Sequence, residues 1–148
     1  TRADRDALWA AIASGLVDVI ESDHAPHTLE EKHGPKPVYG VPGLETTLPL
    51  LGLAIHEGRL SVDQLIALVA ENPRRIFGLR APADTYTVLD LDASVVIDNA
   101  ALHTKCGWSP FAGMRVRGRV AEVWLRGQRV YDGERILAAP GSGRNVAV

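Results

Sequence analysis

Val19-Ile20-Glu21-Ser22-Asp23-His24-Ala25-Pro26-His27 is the stretch from which the fold is read. With Val17, the residues Val19 and Ile20 make a short apolar run of strand-forming residues, and the composition then changes at once to acid, imidazole and proline. A buried strand that ends this way delivers ionisable groups to the edge where a parallel sheet opens to solvent, the usual seat of α/β chemistry. Pro26 lacks a backbone donor and has a fixed φ, so the strand stops there and Asp23 and His27 are expected to face one cavity. Either residue alone is ordinary as a cap or loop residue. The pair, closing a buried run and followed by a glycine-bearing loop, points to a site.

The surrounding composition bounds the chemistry. Of 148 residues, 46% are hydrophobic and 23% charged, the profile of a globular protein. A net charge of −2 gives no electrostatic reason to expect nucleic acid or an anionic membrane as partner. The apolar runs are too short for a membrane span. The single Cys106 excludes an internal disulfide and fits a reducing, cytoplasmic setting. The chain opens on Thr1, its one methionine is Met114, and the site lies near the start. These features suggest the C-terminal piece of a longer protein.

Outward from the site, Ala3 to Ser14 reads as a helix with Leu8, Trp9, Ile12 and Ala13 on one face and Gly15 as its stop. Helix, glycine and apolar strand is the rhythm of an α/β unit. On the other side, Thr28 to Pro42 is a charged, proline-bearing loop long enough to act as a lid, with Glu30 to His33 read as a solvated charge cluster. It ends in Tyr39-Gly40-Val41-Pro42-Gly43, where glycines permit close backbone approach or simply a tight turn. A helix with Leu44, Leu48, Leu51 and Ile55 on one stripe follows and stops at Gly58. Ser61 and Gln64 form a capping box for a helix facing inward with Val62, Leu65, Ile66 and Val69. Asn72-Pro73 is expected to end it and start a short helix closing at Gly78.

After Arg80 the period changes. Ala81 to Asp84 resembles a linker, so residues 1–80 and 81–148 are expected to be separate modules. Tyr86 to Leu91, Ser94 to Asp98 and Met114 to Leu125 read as strands, with turns at Gly127 and Gly133 around Arg129 to Tyr131. Such short strands suggest a small sandwich or sheet. Between them, His103 and Cys106 have no second cysteine or spaced histidine to complete a metal pair, which favours a packing role for Cys106 and Trp108. Ala139 to Gly143 reads as an extended surface tail.

The segments Ser22 to Thr28, Glu31-Lys32 and Gly40 to Leu51, followed by Asn72-Pro73 and Lys105 to Phe111, resemble the dihydroorotase signature of the amidohydrolase superfamily. That resemblance runs from Ala7 to about Gly133. It implies an α/β fold: the C-terminal part of a metal-dependent (β/α)8 barrel plus the C-terminal strands of a flanking β-sandwich. The family's His-x-His metal motif, its later metal-binding histidines and its substrate-holding asparagine are absent, and His33, His56 and His103 match none of those positions. The piece alone is therefore expected to be inactive.

The implied reaction is the reversible, zinc-dependent opening of the cyclic amide of dihydroorotate to N-carbamoyl-aspartate, in pyrimidine biosynthesis. By the resemblance Asp23 is both the proton-transferring carboxylate and a metal ligand. His27 contacts the substrate carboxylate, Tyr39 and Gly40 supply backbone contacts to the ring, and His24 orients the loop or Asp23. Implied partners are the small-molecule substrate and, at the protein level, further copies or aspartate transcarbamoylase. Two alternatives stand beside it: another cyclic amidohydrolase, of allantoinase or dihydropyrimidinase type, or a non-catalytic dihydroorotase-like assembly partner.

Overall fold

The computed structural model describes residues 1–146. Its elements, in order, are α1 (Arg2–Ala13), α2 (Leu29–His33), α3 (Thr47–His56), α4 (Val62–Ile66), a π-helical turn (Ala67–Glu71), α5 (Asn72–Ile76), β1 (Tyr86–Val96), a 3-10 turn (Asn99–Ala101), β2 (Arg115–Leu125) and β3 (Gln128–Tyr131). The chain is thus mixed α/β. It divides into two compact units: Thr1–Ile20, Ala54–Asp90 and Val120–Val148 in one, Glu21–Leu53 and Leu91–Arg119 in the other.

In the first unit, α1 begins with a capping box between Thr1 and Asp4, which satisfies backbone N–H groups that have no partner within the helix. It closes before Gly15, as expected, at φ +75°. Trp9 is half-buried, with the Arg59 guanidinium 4.2 Å from its ring centroid, a cation–π contact. Leu8 on the same helix stays exposed.

The expected strand at Val17 to Ile20 is not a strand. The segment is held by single contacts, Ile20 N–H donating to the Leu68 carbonyl at 3.1 Å and Asn72 Nδ2 donating to the Asp18 carbonyl at 2.9 Å. A β-strand is defined by a ladder to a neighbouring strand, and no strand among the described residues lies beside this segment.

The Ser61/Gln64 capping box is present and opens α4. The expected break at Asn72 is absent: α4, the π turn and α5 form one continuous helical run. Pro73 has no N–H for the carbonyl four residues back, and its ring crowds that carbonyl. A widened π turn relieves both problems without ending the helix. The wider turn also shifts the buried face to Leu65 and Leu68, leaving Val62 and Ile66 exposed. Asn72 braces Asp18 and accepts from Arg75 instead of capping.

Among the described residues the strands form one three-stranded sheet, in the order β1-β2-β3. β1 runs through Asp92 and Ala93 as a single strand, with half-buried and exposed residues alternating from Leu91 to Val96. β2 and β3 are antiparallel and pair Leu125 with Gln128. Arg126 (φ +54°) and Gly127 (φ +75°) form the two-residue turn between them, and a left-handed conformation at both positions matches the twist of a hairpin. Tyr86 stacks on Trp124, with ring centroids 5.9 Å apart. Residues 139–143 are exposed, as expected of the tail.

The core of the second unit contains Leu51, Ile97, Trp108 and Val116, with the polar Thr46 and Ser109 also buried. Ser109 N–H donates to Asn99 Oδ1 and the Thr46 hydroxyl to the Gly43 carbonyl, so the buried polar groups are satisfied. Gly52 on α3 lies where any side chain would strike the Arg117 carbonyl, so helix and strand backbones meet directly.

Candidate functional site

The turn from Asp23 to His27 is fixed by backbone N–H groups that donate to carbonyls, to the Glu21 carboxylate and to the His24 imidazole. Glu21 reaches forward, and its carboxylate accepts from Asp23 N–H at 2.6 Å. His24 forms a single parallel bridge with Val41, and Ala25 N–H donates to the Val41 carbonyl at 3.0 Å. His27 N–H closes on the Ala25 carbonyl at 2.9 Å, a three-residue turn centred on Pro26, whose fixed φ suits that geometry.

His24 takes the first of the two roles expected of it. Its Nδ1 accepts from Gly43 N–H and Leu44 N–H, both at 3.2 Å, and so ties the turn to the loop before α3. Two backbone donors aimed at Nδ1 require that nitrogen to carry no proton, which leaves the neutral ring with its hydrogen on Nε2. Gly43 is needed here because a side chain on it would come within 2.7 Å of the Ser22 carbonyl.

Asp23 itself has a left-handed backbone, φ +43°, a conformation a short acidic side chain tolerates. The residue is exposed, and its carboxylate makes no hydrogen bond or ion pair among the described residues. His27 is half-buried, its Nδ1 lying 3.7 Å from Glu31 Oε2, a charge contact longer than a hydrogen bond. No hydrogen bond or ion pair joins Asp23 to His27. The small cavity lined by Pro42, Glu45, Thr104, Trp108 and their neighbours contains neither of them.

The charged loop is more ordered than expected. Glu31 is the reciprocal member of a capping box with Thr28, which opens α2. Hydrogen bonds from Thr28, with His27 alongside, hold its carboxyl below the ordinary value of 4.5. Lys32 is half-buried and donates to the Val38 and Gly40 carbonyls, both at 2.7 Å. Neither Glu31 nor Lys32 is a merely solvated charge. The Tyr39 side chain is 95% exposed. Gly40 (φ +87°) would carry a Cβ only 2.5 Å from that of Ala25. Its carbonyl is occupied by Lys32, so the group it can offer a ligand is its N–H, which has no partner among the described residues.

Two further residues hold this region: Glu45, given no role of its own in the sequence reading, and Trp108. Glu45 accepts from His103 N–H at 2.9 Å, from Thr104 N–H at 2.7 Å and from the Thr104 hydroxyl, and meets His103 Nδ1 at 3.2 Å. Burial would raise its pKa, but the hydrogen bonds from Thr104 and His103 outweigh it and hold the carboxyl below 4.5. Trp108, expected only to pack, also donates its indole N–H to the His27 carbonyl at 2.7 Å. A dipeptide pattern could not reveal either, since each contact spans more than fifty residues.

A zinc ion does not fit the described residues by themselves: no group of three or more His, Cys, Asp or Glu is placed to hold a metal. Asp23 offers one free carboxylate. No described helix is long and apolar enough to cross a membrane.

No family model matches the chain. It is 44% identical over 146 residues to the multifunctional protein pyr1-3 of Dictyostelium discoideum, covering 99% of this chain and 6% of that protein. It is 38% identical over 149 residues to the dihydroorotase of Pyrococcus furiosus, covering 97% of this chain and 35% of the relative. Among solved structures, the inactive dihydroorotase-like domain of the Chaetomium thermophilum CAD-like multifunctional protein matches with a TM-score of 0.78 at 28% identity, covering 97% of this chain and 40% of that one. Hydantoinases also share the fold. The chain therefore spans about a third of the dihydroorotases it matches and a far smaller part of the multifunctional proteins.

Proposed function

We infer that this chain, similar to dihydroorotases along nearly its whole length, is the part of such an enzyme that carries its proton-transferring carboxylate and its substrate-carboxylate contact. The observation that carries this reading is the Asp23–His27 turn: five backbone-centred hydrogen bonds fix its shape while the Asp23 carboxylate stays unpaired. A rigid turn presenting a free carboxylate from a left-handed residue suits a group that must meet a ligand.

The reaction is the reversible hydrolysis of the ring amide of dihydroorotate. A water oxygen adds to the ring carbonyl carbon and the C–N bond breaks, so that the nitrogen becomes the carbamoyl NH2 of N-carbamoyl-aspartate and the new carboxylic acid ionises, releasing water's second proton to solvent. Asp23 accepts the proton that water loses and returns it to the departing nitrogen, a task within reach of one carboxylate. His27 holds the substrate carboxylate, and Gly40 N–H donates to the ring. Tyr39 contributes through its backbone, its side chain standing in solvent. Zinc, if the complete enzyme holds it, takes most ligands from outside the described residues, and Asp23 is the carboxylate this chain adds.

We place these residues in the last strand position of a (β/α)8 barrel and the following helices, up to about residue 80, with 81–148 contributing to a flanking sandwich. The exposure of Leu8, Leu16 and Phe77 supports a surrounding protein that covers them. Likeness to multifunctional proteins supports physical linkage to other activities; we propose aspartate transcarbamoylase as one of them and the cytoplasm as the setting.

A non-catalytic reading has one observation behind it, the likeness to an inactive domain. The 38% identity to the Pyrococcus furiosus dihydroorotase, over 97% of this chain, weighs for the active one. Assaying the complete protein for interconversion of dihydroorotate and N-carbamoyl-aspartate, with zinc supplied, decides between them. No ring opening would overturn the catalytic reading.

A further inference from the structure

The indole of Trp108 is buried, yet its one polar atom is spent on the carbonyl of His27, 81 residues earlier. A tryptophan that served only to fill the core could have satisfied its N–H on any nearby acceptor. Here it reaches the residue proposed to bind the substrate carboxylate. The loop that carries it is anchored independently: Glu45 accepts from both backbone N–H groups of His103 and Thr104 and from the Thr104 hydroxyl. Ser109, the next residue after Trp108, is fixed by Asn99. His27 is thus held from two sides, by the turn through Ala25 and by the indole.

We propose that Trp108 is a positioning residue for His27, setting the imidazole where it meets the carboxylate of a carboxylated ring substrate, with Glu45 holding the loop that aims the indole. This rests on the reading of His27 given above. Nothing in it requires Trp108 to touch substrate. Its contribution is felt by substrates that bear the carboxylate and not by the ring chemistry.

The test uses the complete protein and two substrates, dihydroorotate and dihydrouracil, the same ring without the carboxylate. Trp108→Phe keeps aromatic bulk and removes the N–H. Loss of one neutral hydrogen bond should raise KM for dihydroorotate about three- to tenfold with kcat within about twofold, lowering the preference for dihydroorotate by the same factor. The double variant His27→Ala/Trp108→Phe should be no more impaired than His27→Ala. Equal losses on both substrates, no change on either, or losses that multiply in the double variant would overturn the proposal. If His27→Ala alone leaves the preference intact, the reading of His27 fails, and this is seen without any Trp108 variant. Should Trp108→Phe fail to fold, Glu45→Gln stands in for it. A smaller shift of the same selective kind supports the proposal, and equal losses on both substrates overturn it.

Discussion

Glu45, just before α3, and Thr104, 59 residues later, are joined twice, the carboxylate accepting from both the backbone N–H and the hydroxyl of the threonine. The net effect is a carboxyl held below its ordinary value of 4.5. A depressed pKa in the folded state means that the charged form is favoured there. The stability it contributes is complete above 4.5 and is lost as the pH falls through the lowered value. Glu45→Gln should therefore lower the melting temperature at neutral pH, and the gap to the unsubstituted chain should narrow at an acid pH below the lowered value. A gap of the same size at both pH values would show that the charge of Glu45 plays no part.

Gly40 should not tolerate alanine. Its φ of +87° disfavours any side chain, and the added methyl would lie 2.5 Å from the Cβ of Ala25. The pairing of Ala25 with Val41 must then give way, at a cost of roughly 1–3 kcal/mol. Chemical denaturation of Gly40→Ala should show that loss, and an unchanged midpoint would mean that the loop relaxes freely.

What could be read from the sequence was local. The Ser61/Gln64 box and the stops at Gly15 and Gly58 depend on residues three or four apart, so the pattern contained the answer. The Thr28/Glu31 box is just as local but was hidden behind the reading of its charges as solvated. The apolar run at Val17 to Ile20 signals a strand, but strand formation depends on a neighbour the run cannot specify. For the proposed site, the change of composition from Asp23 to His27 was legible in the sequence. What fixes it was not: Glu45 meets Thr104 and Trp108 meets His27 only through tertiary folding. Likewise, the sequence shows a proline at 73 but not that a π turn absorbs it.

Asp23 should be the residue whose loss most affects turnover. Its carboxylate is unpaired, so Asp23→Asn leaves the Glu21 contact to its backbone and the turn intact while removing the proposed base. In the complete protein, kcat should fall at least about a hundredfold, the lower end of what general acid–base catalysis contributes. Near-normal turnover would assign the proton to another group.

On the proposed reading, His27 should decide which ring the site prefers. Dihydroorotate carries a carboxylate that dihydrouracil lacks, and an imidazole N–H beside it makes a charge-assisted hydrogen bond worth roughly 1.5–3 kcal/mol. The Nδ1 side of the ring is already directed toward Glu31, 3.7 Å away, which leaves Nε2 as the nitrogen to offer a ligand. If His27 served only to shape the turn after Pro26, the turn would do that work through its backbone, since His27 N–H and its carbonyl are the groups engaged with Ala25 and Trp108. Replacing the side chain then leaves those contacts in place. His27→Ala in the complete protein should therefore lower kcat/KM for dihydroorotate by roughly ten- to a hundredfold while narrowing the preference over dihydrouracil. Equal losses on the two rings would mean that the imidazole shapes the loop and does not read the carboxylate.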